Sequence, residues 1–154
     1  MQNRREAVTA VGFLLAGGLA SPALAQSGSS TASLAERFAA TLSTHDIDGF
    51  AALFSDSYVN HQVSAAAPPP PPNVTPLTGL PDLKVAIEAI VADKNYVAAS
   101  FVYTGTHKGT YFGIAPTGRS LRFTSCDIFR VQDERIVEHW GMGDIAGVLA
   151  QLHA

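Results

Sequence analysis

Residues Thr104–Gly141 read TGTHKGTYFGIAPTGRSLRFTSCDIFRVQDERIVEHWG. The middle of this stretch alternates. Leu121, Phe123, Ser125, Asp127, Phe129 and Val131 fall on one face, and Arg122, Thr124, Cys126, Ile128 and Arg130 on the other. A two-residue period belongs to a β-strand, not to a helix. The strand before it ends in Thr104-Gly105-Thr106-His107-Lys108-Gly109, and Gly113–Gly118 is rich in the residues that supply turn conformations. Ile136–Met142 reads as a third strand. Asp127 is out of keeping with its apolar face. A carboxylate there must find a partner, take up a proton or line a cavity.

Working outward, Leu34, Phe38 and Leu42 recur every four residues, with Ala35 and Ala39 beside them. That stripe predicts a helix from Thr31 or Ser33 to about Ser43. Asp46 caps a second helix carrying Ile47, Phe50, Ala51, Leu53 and Phe54. Ser57–Gln62 reads as a short strand. A low-complexity stretch follows, with five prolines from Pro68 to Pro72, in a loop over residues 65–80. Consecutive prolines favour an extended, non-helical path. Leu83–Asp93 fits either a helix opened by Pro81 or a strand, because Leu83, Val85, Ile87, Ala89 and Val91 alternate. We take the strand, paired through a turn at Asp93-Lys94-Asn95 with Tyr96–Tyr103. The ribbon around Thr110 splits into further strand. Asp144 caps a last helix with Ile145, Val148, Leu149 and Leu152 apolar. Helices first and a meander after predict an α+β fold, a curved antiparallel sheet covered by N-terminal helices and closed by a C-terminal one.

The 154 residues suit one domain. Arg4-Arg5, the apolar run Ala10–Ala20 and the small-x-small Ala23-Leu24-Ala25 predict a signal peptide over residues 1–25. A Ser/Gly linker, 26–30, precedes the domain, 31–154. The expected location is periplasmic or secreted. The formal charge is −3, and loss of residues 1–25, with two Arg and one Glu, makes it more negative. No basic run is present, which argues against nucleic acid or an anionic membrane as partner. Cys126 is the only cysteine, so no internal disulfide forms. The five histidines are scattered and show no metal-ligand spacing.

The elements GTH-x-G (105–109), GI-x-PTG (113–118) and DIFR…I-x-EHW (127–140) resemble, in this order, the SnoaL-like polyketide cyclases, or ester cyclases, of the nuclear transport factor two-like superfamily. The entry DGFAALFSDSYVNHQ (48–62) fits the same family. The resemblance implies a cone-shaped pocket for a small hydrophobic carbonyl compound. It implies acid/base chemistry without a metal or organic cofactor, of cyclase, isomerase or hydratase type. It also implies an acid just after EHW. Here that position is Gly141, which leaves a non-catalytic ligand-binding module of the same fold as the second expectation.

The candidate site follows from the hairpin register. A three-residue loop, Asp133-Glu134-Arg135, pairs Gln132 with Ile136, Phe129 with His139 and Asp127 with Gly141. A two-residue loop turns His139 to the other face. The resemblance favours the first. Asp127 and His139 are then the catalytic candidates, as base and proton shuttle or as a structural pair. By resemblance Asn60 lines the pocket. Tyr58, His107, Phe123 and Phe129 complete the expected substrate contacts. Trp140 and Tyr103 read as packing or interface residues, and Cys126 as a small buried or interface one. The apolar outer face, Ile128, Cys126 and Trp140, predicts a homodimer.

Overall fold

The computed structural model describes residues 23–61 and 75–154. Residues 1–22, most of the expected signal peptide, and most of the proline-rich loop lie outside the described residues. The elements run α1 (Ala23–Thr44), α2 (Ile47–Ala51), β1 (Phe54–Asn60), α3 (Thr75–Gly79), β2 (Lys84–Ala92), β3 (Tyr96–Thr106), β4 (Ser120–Gln132), β5 (Arg135–Gly143) and α4 (Ile145–His153). One five-stranded sheet has the order β1-β5-β4-β3-β2. All pairings are antiparallel except β1 with β5, which is parallel. This is the expected α+β class.

The stripe on α1 explains its packing. Leu34, Ala35, Phe38, Ala39 and Leu42 are all buried, and α1 lies across β2 and β3. Phe38 sits at the centre of an aromatic cluster, 5.2 Å from Phe50, 5.2 Å from Phe101 and 5.1 Å from Phe129 between ring centroids. Burying one such ring stabilises by roughly 1.5–3 kcal/mol. Asp46 and Asp144 cap α2 and α4 as expected, accepting from Gly49 N and Gly147 N at 2.9 and 2.8 Å. Val148 and Leu152 anchor α4 in the core. The side chain of Gln151 ties α4 to the backbone N–H and carbonyl of Arg122.

Several expectations need correction. Helix α1 starts at Ala23, so residues 26–30 are helical rather than a linker. Thr31 is not a cap but a buried residue facing Lys94 O at 3.4 Å. The end of the 65–80 loop forms a single helical turn, α3, with Pro76 near its start, where a missing N–H costs nothing. Strand β1 begins at Phe54, three residues before the expected start. The ribbon around Thr110 holds only an isolated bridge, Tyr111 with Ile114. Cys126 is exposed, which removes the buried alternative and leaves the interface one. The strand expected over Leu83–Asp93 is present as β2, Lys84–Ala92, with Asp93 holding the turn by accepting from Asn95 N and Tyr96 N.

The β4–β5 hairpin differs in an instructive way. Its loop has two residues, not three: Gln132 pairs with Arg135, and Asp133 and Glu134 both have positive φ, 50° and 58°. Such a turn fits the twist of the strands. Yet Phe129 still pairs with His139 and Asp127 with Gly141. The register shifts between Arg130 and Val131, because β5 carries one extra residue, Val137, as a bulge. Ile136 and Val137 are consequently both buried. The bulge restores the face of His139 that the short loop alone would have reversed.

Candidate functional site

The inward face of β4 and β5 collects the polar groups. Asp127 is 4% exposed and His139 8%. His139 Nε2 lies 2.9 Å from Asp127 Oδ1. The other carboxylate oxygen accepts from Ser125 Oγ at 2.5 Å. Ser125 also reaches Tyr103 Oη at 3.3 Å. On the far side of the imidazole, Tyr58 Oη lies 3.1 Å from Nδ1. A continuous chain, Tyr58–His139–Asp127–Ser125–Tyr103, thus crosses strands β1, β5, β4 and β3. Both nitrogens of His139 and both oxygens of Asp127 are engaged, which meets the demand that buried polar groups be paired.

The walls are aromatic. Phe129 is fully buried with its ring 4.8 Å from His139. Phe54 contacts Tyr58 edge-on at 4.7 Å. Tyr103 stacks flat on Phe123 at 4.9 Å. Burial, with the Asp127 charge adding to it, pushes the Tyr58 phenol up from 10.0 to about 12. The same two causes push Tyr103 still further in the same direction. Tyr58, Phe123 and Ser125 are half-buried.

Gly141 faces this pair across the strands. A Cβ at residue 141 would lie 2.8 Å from His139 Nε2 and closer still to Asp127 Oδ1. The space a side chain at 141 would enter is already taken by the Asp127–His139 bond.

The other expected residues are dispersed. Asn60 pairs in register with His139 but is exposed at the end of β1. His61 lies on the outer face, stacked on Trp140 at 4.5 Å and bonded to Glu138 at 2.8 Å. Arg130 binds the same carboxylate, and His61 and Arg130 together hold Glu138 below its usual range. His107 is fully buried at the distant end of the inner face. Its Nδ1 meets Thr117 Oγ1 at 2.9 Å and accepts from Thr117 N at 3.2 Å, while Nε2 has no partner among the described residues. The GTH and PTG elements are therefore joined to each other. Two clefts, about 240 and 410 Å³, lie beside Thr31 and Asp133 and beside Asp82 and Arg122, and neither contains Asp127 or His139. The buried, hydrogen-bonded chain is therefore a candidate site separate from both open clefts.

Sequence reading missed two members. Tyr103 was assigned to packing or an interface and Ser125 was given no role. The signal for Ser125 was available, since it shares the face of Asp127; Tyr103 needed the β3–β4 register, which sets it opposite Phe123 and sets Phe101 opposite Ser125.

Comparison with known proteins agrees with this architecture. The proposed hydroxylase AclR from Streptomyces galilaeus is 25% identical with a TM-score of 0.68, over 79% of this chain and 93% of that one. IdmH from Streptomyces antibioticus, a proposed polyketide cyclase, is 27% identical with a TM-score of 0.66, over 79% and 97%. TsrD from Streptomyces laurentii, 21% identical with a TM-score of 0.67 over 80% and 95%, shares the fold. No curated protein matches. The family model for the SnoaL-like polyketide cyclases matches residues 32–152. With all five strands and most of α1 and α4 inside that span, the chain belongs to the SnoaL-like polyketide cyclase family.

Proposed function

We propose that this protein is an exported enzyme performing acid/base chemistry without a cofactor on a small hydrophobic carbonyl compound, as a cyclase, isomerase or hydratase. One observation carries the reading: a buried Asp127–His139 pair whose remaining polar atoms are held by Ser125 and Tyr58 on an aromatic wall. A histidine so held can take and return a proton while the carboxylate fixes its orientation and stabilises its cationic form. A low-dielectric wall strengthens these interactions. The acid that the family resemblance expects at 141 is replaced by a carboxylate from the paired position, Asp127. The test is Asp127→Asn, which keeps the shape. Turnover of a true substrate falls by roughly 10²–10⁴ with the fold intact. Unchanged turnover refutes the assignment.

A second reading has its own support. Because both oxygens of Asp127 are already paired, the same geometry serves a protein that binds an apolar ligand and does no chemistry. Binding without turnover, insensitive to Asp127→Asn, would select it. Export rests on the Ala23-Leu24-Ala25 pattern, and the mature N-terminus is expected at Gln26. Recovery of exported protein with Met1 intact contradicts it.

A further inference from the structure

Resting on the acid/base reading above, we propose that Tyr58 is the residue through which the relay meets its substrate, its hydroxyl passing a proton between His139 Nδ1 and the ligand. The argument is one of remaining capacity. His139 gives Nε2 to Asp127 and Nδ1 to Tyr58. Asp127 gives one oxygen to His139 and the other to Ser125. A ligand reaching either imidazole nitrogen must break one of these bonds, which leaves a buried polar group unpaired, and Asp127, only 4% exposed, is closed to a ligand by its burial. A carboxylate accepts, so Nε2 carries the proton and Nδ1 presents its lone pair. Tyr58 therefore donates its O–H to Nδ1. Its oxygen keeps lone pairs free for a proton from elsewhere, and its ring is only half-buried.

The opposite arm ends differently. Ser125 is half-buried as well, but its single proton is committed to Asp127 at 2.5 Å. Its next neighbour, Tyr103, is buried and covered by the Phe123 ring. That arm pins the carboxylate. Only the Tyr58 arm joins the imidazole directly to an accessible hydroxyl.

The proton count closes. In the base direction, the Tyr58 oxygen takes a proton from the carbon next to the ligand's carbonyl while the phenol proton moves to Nδ1. An enolate and an imidazolium result, the latter beside the Asp127 carboxylate. In the acid direction, Nδ1 returns its proton to Tyr58 as Tyr58 delivers its own to the ligand. Tyr58 ends unchanged, and no electrons are exchanged with a co-reactant. The ligand class this suits is a carbonyl compound with an activated α-hydrogen, such as a 3-oxo ester.

The test follows α-proton exchange of methyl acetoacetate in D₂O by proton NMR, near neutral pD, with the buffer-only rate subtracted. Wild-type protein is expected to accelerate exchange, and Tyr58→Phe to lower the enzymatic rate by roughly 10²–10⁴, with the folded state retained. Tyr58→Phe exchanging as fast as wild type while Asp127→Asn does not would overturn the role of Tyr58 and leave the acid/base reading standing. Wild-type protein no faster than buffer would sink both. Should Tyr58→Phe fail to fold, replacement of Tyr58 by 3-fluorotyrosine keeps the bond to His139 with a more acidic phenol. The pH–rate profile is then expected to move to lower pH, and an unmoved profile also overturns the proposal.

Discussion

Adding a single methyl group at Gly141 tests the site most directly. Gly141 has no positive φ, so its backbone accepts alanine. In open space the change would stabilise by about 0.4–1 kcal/mol by restricting the unfolded chain. The space is not open. The new Cβ lies 2.8 Å from His139 Nε2 and 3.2 Å from Cε1, and nearer still to Asp127 Oδ1. These atoms cannot swing away freely. Phe129 packs against the imidazole, Tyr58 holds its far nitrogen and Ser125 holds the second carboxylate oxygen. Relief comes either by strain, costing about 1–3 kcal/mol, or by losing the charge-assisted bond, costing about 1.5–3 kcal/mol. The protein takes the cheaper route, so Gly141→Ala is expected to destabilise by about 2 kcal/mol, read from the urea midpoint. The sign, opposite to that of an unobstructed glycine, is the decisive quantity. In an Asp127→Ala background the obstruction is gone and the cost shrinks, giving a coupling of roughly 1–3 kcal/mol. For the same reason Gly141→Asp alone is expected to impair the protein, and to be tolerated better together with Asp127→Ala. A stabilising Gly141→Ala, or strictly additive effects, would refute the packing argument.

Other measurements probe the remaining parts. Glu134→Gly removes a side chain from a positive-φ turn position and is expected to raise stability by about 1 kcal/mol; a loss would show that the turn is not as described. Because burial raises Tyr58 from 10.0 to about 12, the folded form holds its phenol proton more tightly than the unfolded chain. This contribution is intact below pH 10 and is lost as pH rises toward 12. Tyr58→Phe should thus flatten the alkaline loss of stability, and an unchanged alkaline profile would contradict the burial. Finally, Ile128, Trp140 and Met142 are exposed on the outer sheet face, at 42%, 36% and 77%. We propose that they join two copies of the chain, and a monomer mass in sedimentation at micromolar concentration would count against this.

Much of the fold was legible because periodicity reports burial directly. The four-residue stripe of α1 and the alternation of β4 both survive in the structure, as do the Asp46 and Asp144 caps. The start of α1 was not legible. Serine and glycine suggest a linker, yet a helix propagates through them once its later turns are anchored by Leu34 and Phe38. The parallel pairing of β1 with β5 was equally hidden, since a strand's own pattern says nothing about its partner. Tyr58 was read as a substrate contact, but its bond to His139 depends on that pairing, so the relay's outer end came only with the structure.

The hairpin shows why a register can be right when its loop is wrong. A side chain's face depends on the parity of residues between it and its partner. A two-residue turn and a bulge at Val137 together give the same parity as a three-residue turn alone. The sequence carried the sign of this in Ile136-Val137, two β-branched apolar residues in a row where alternation asks for one. The consequence for the site is specific. Without the bulge, His139 would join the outer face and Trp140 would enter the Asp127 site. The bulge is therefore the local backbone feature on which the Asp127–His139 bond depends. Its insertion beside the bond also fits the tendency of bulges to aim side chains at functional sites.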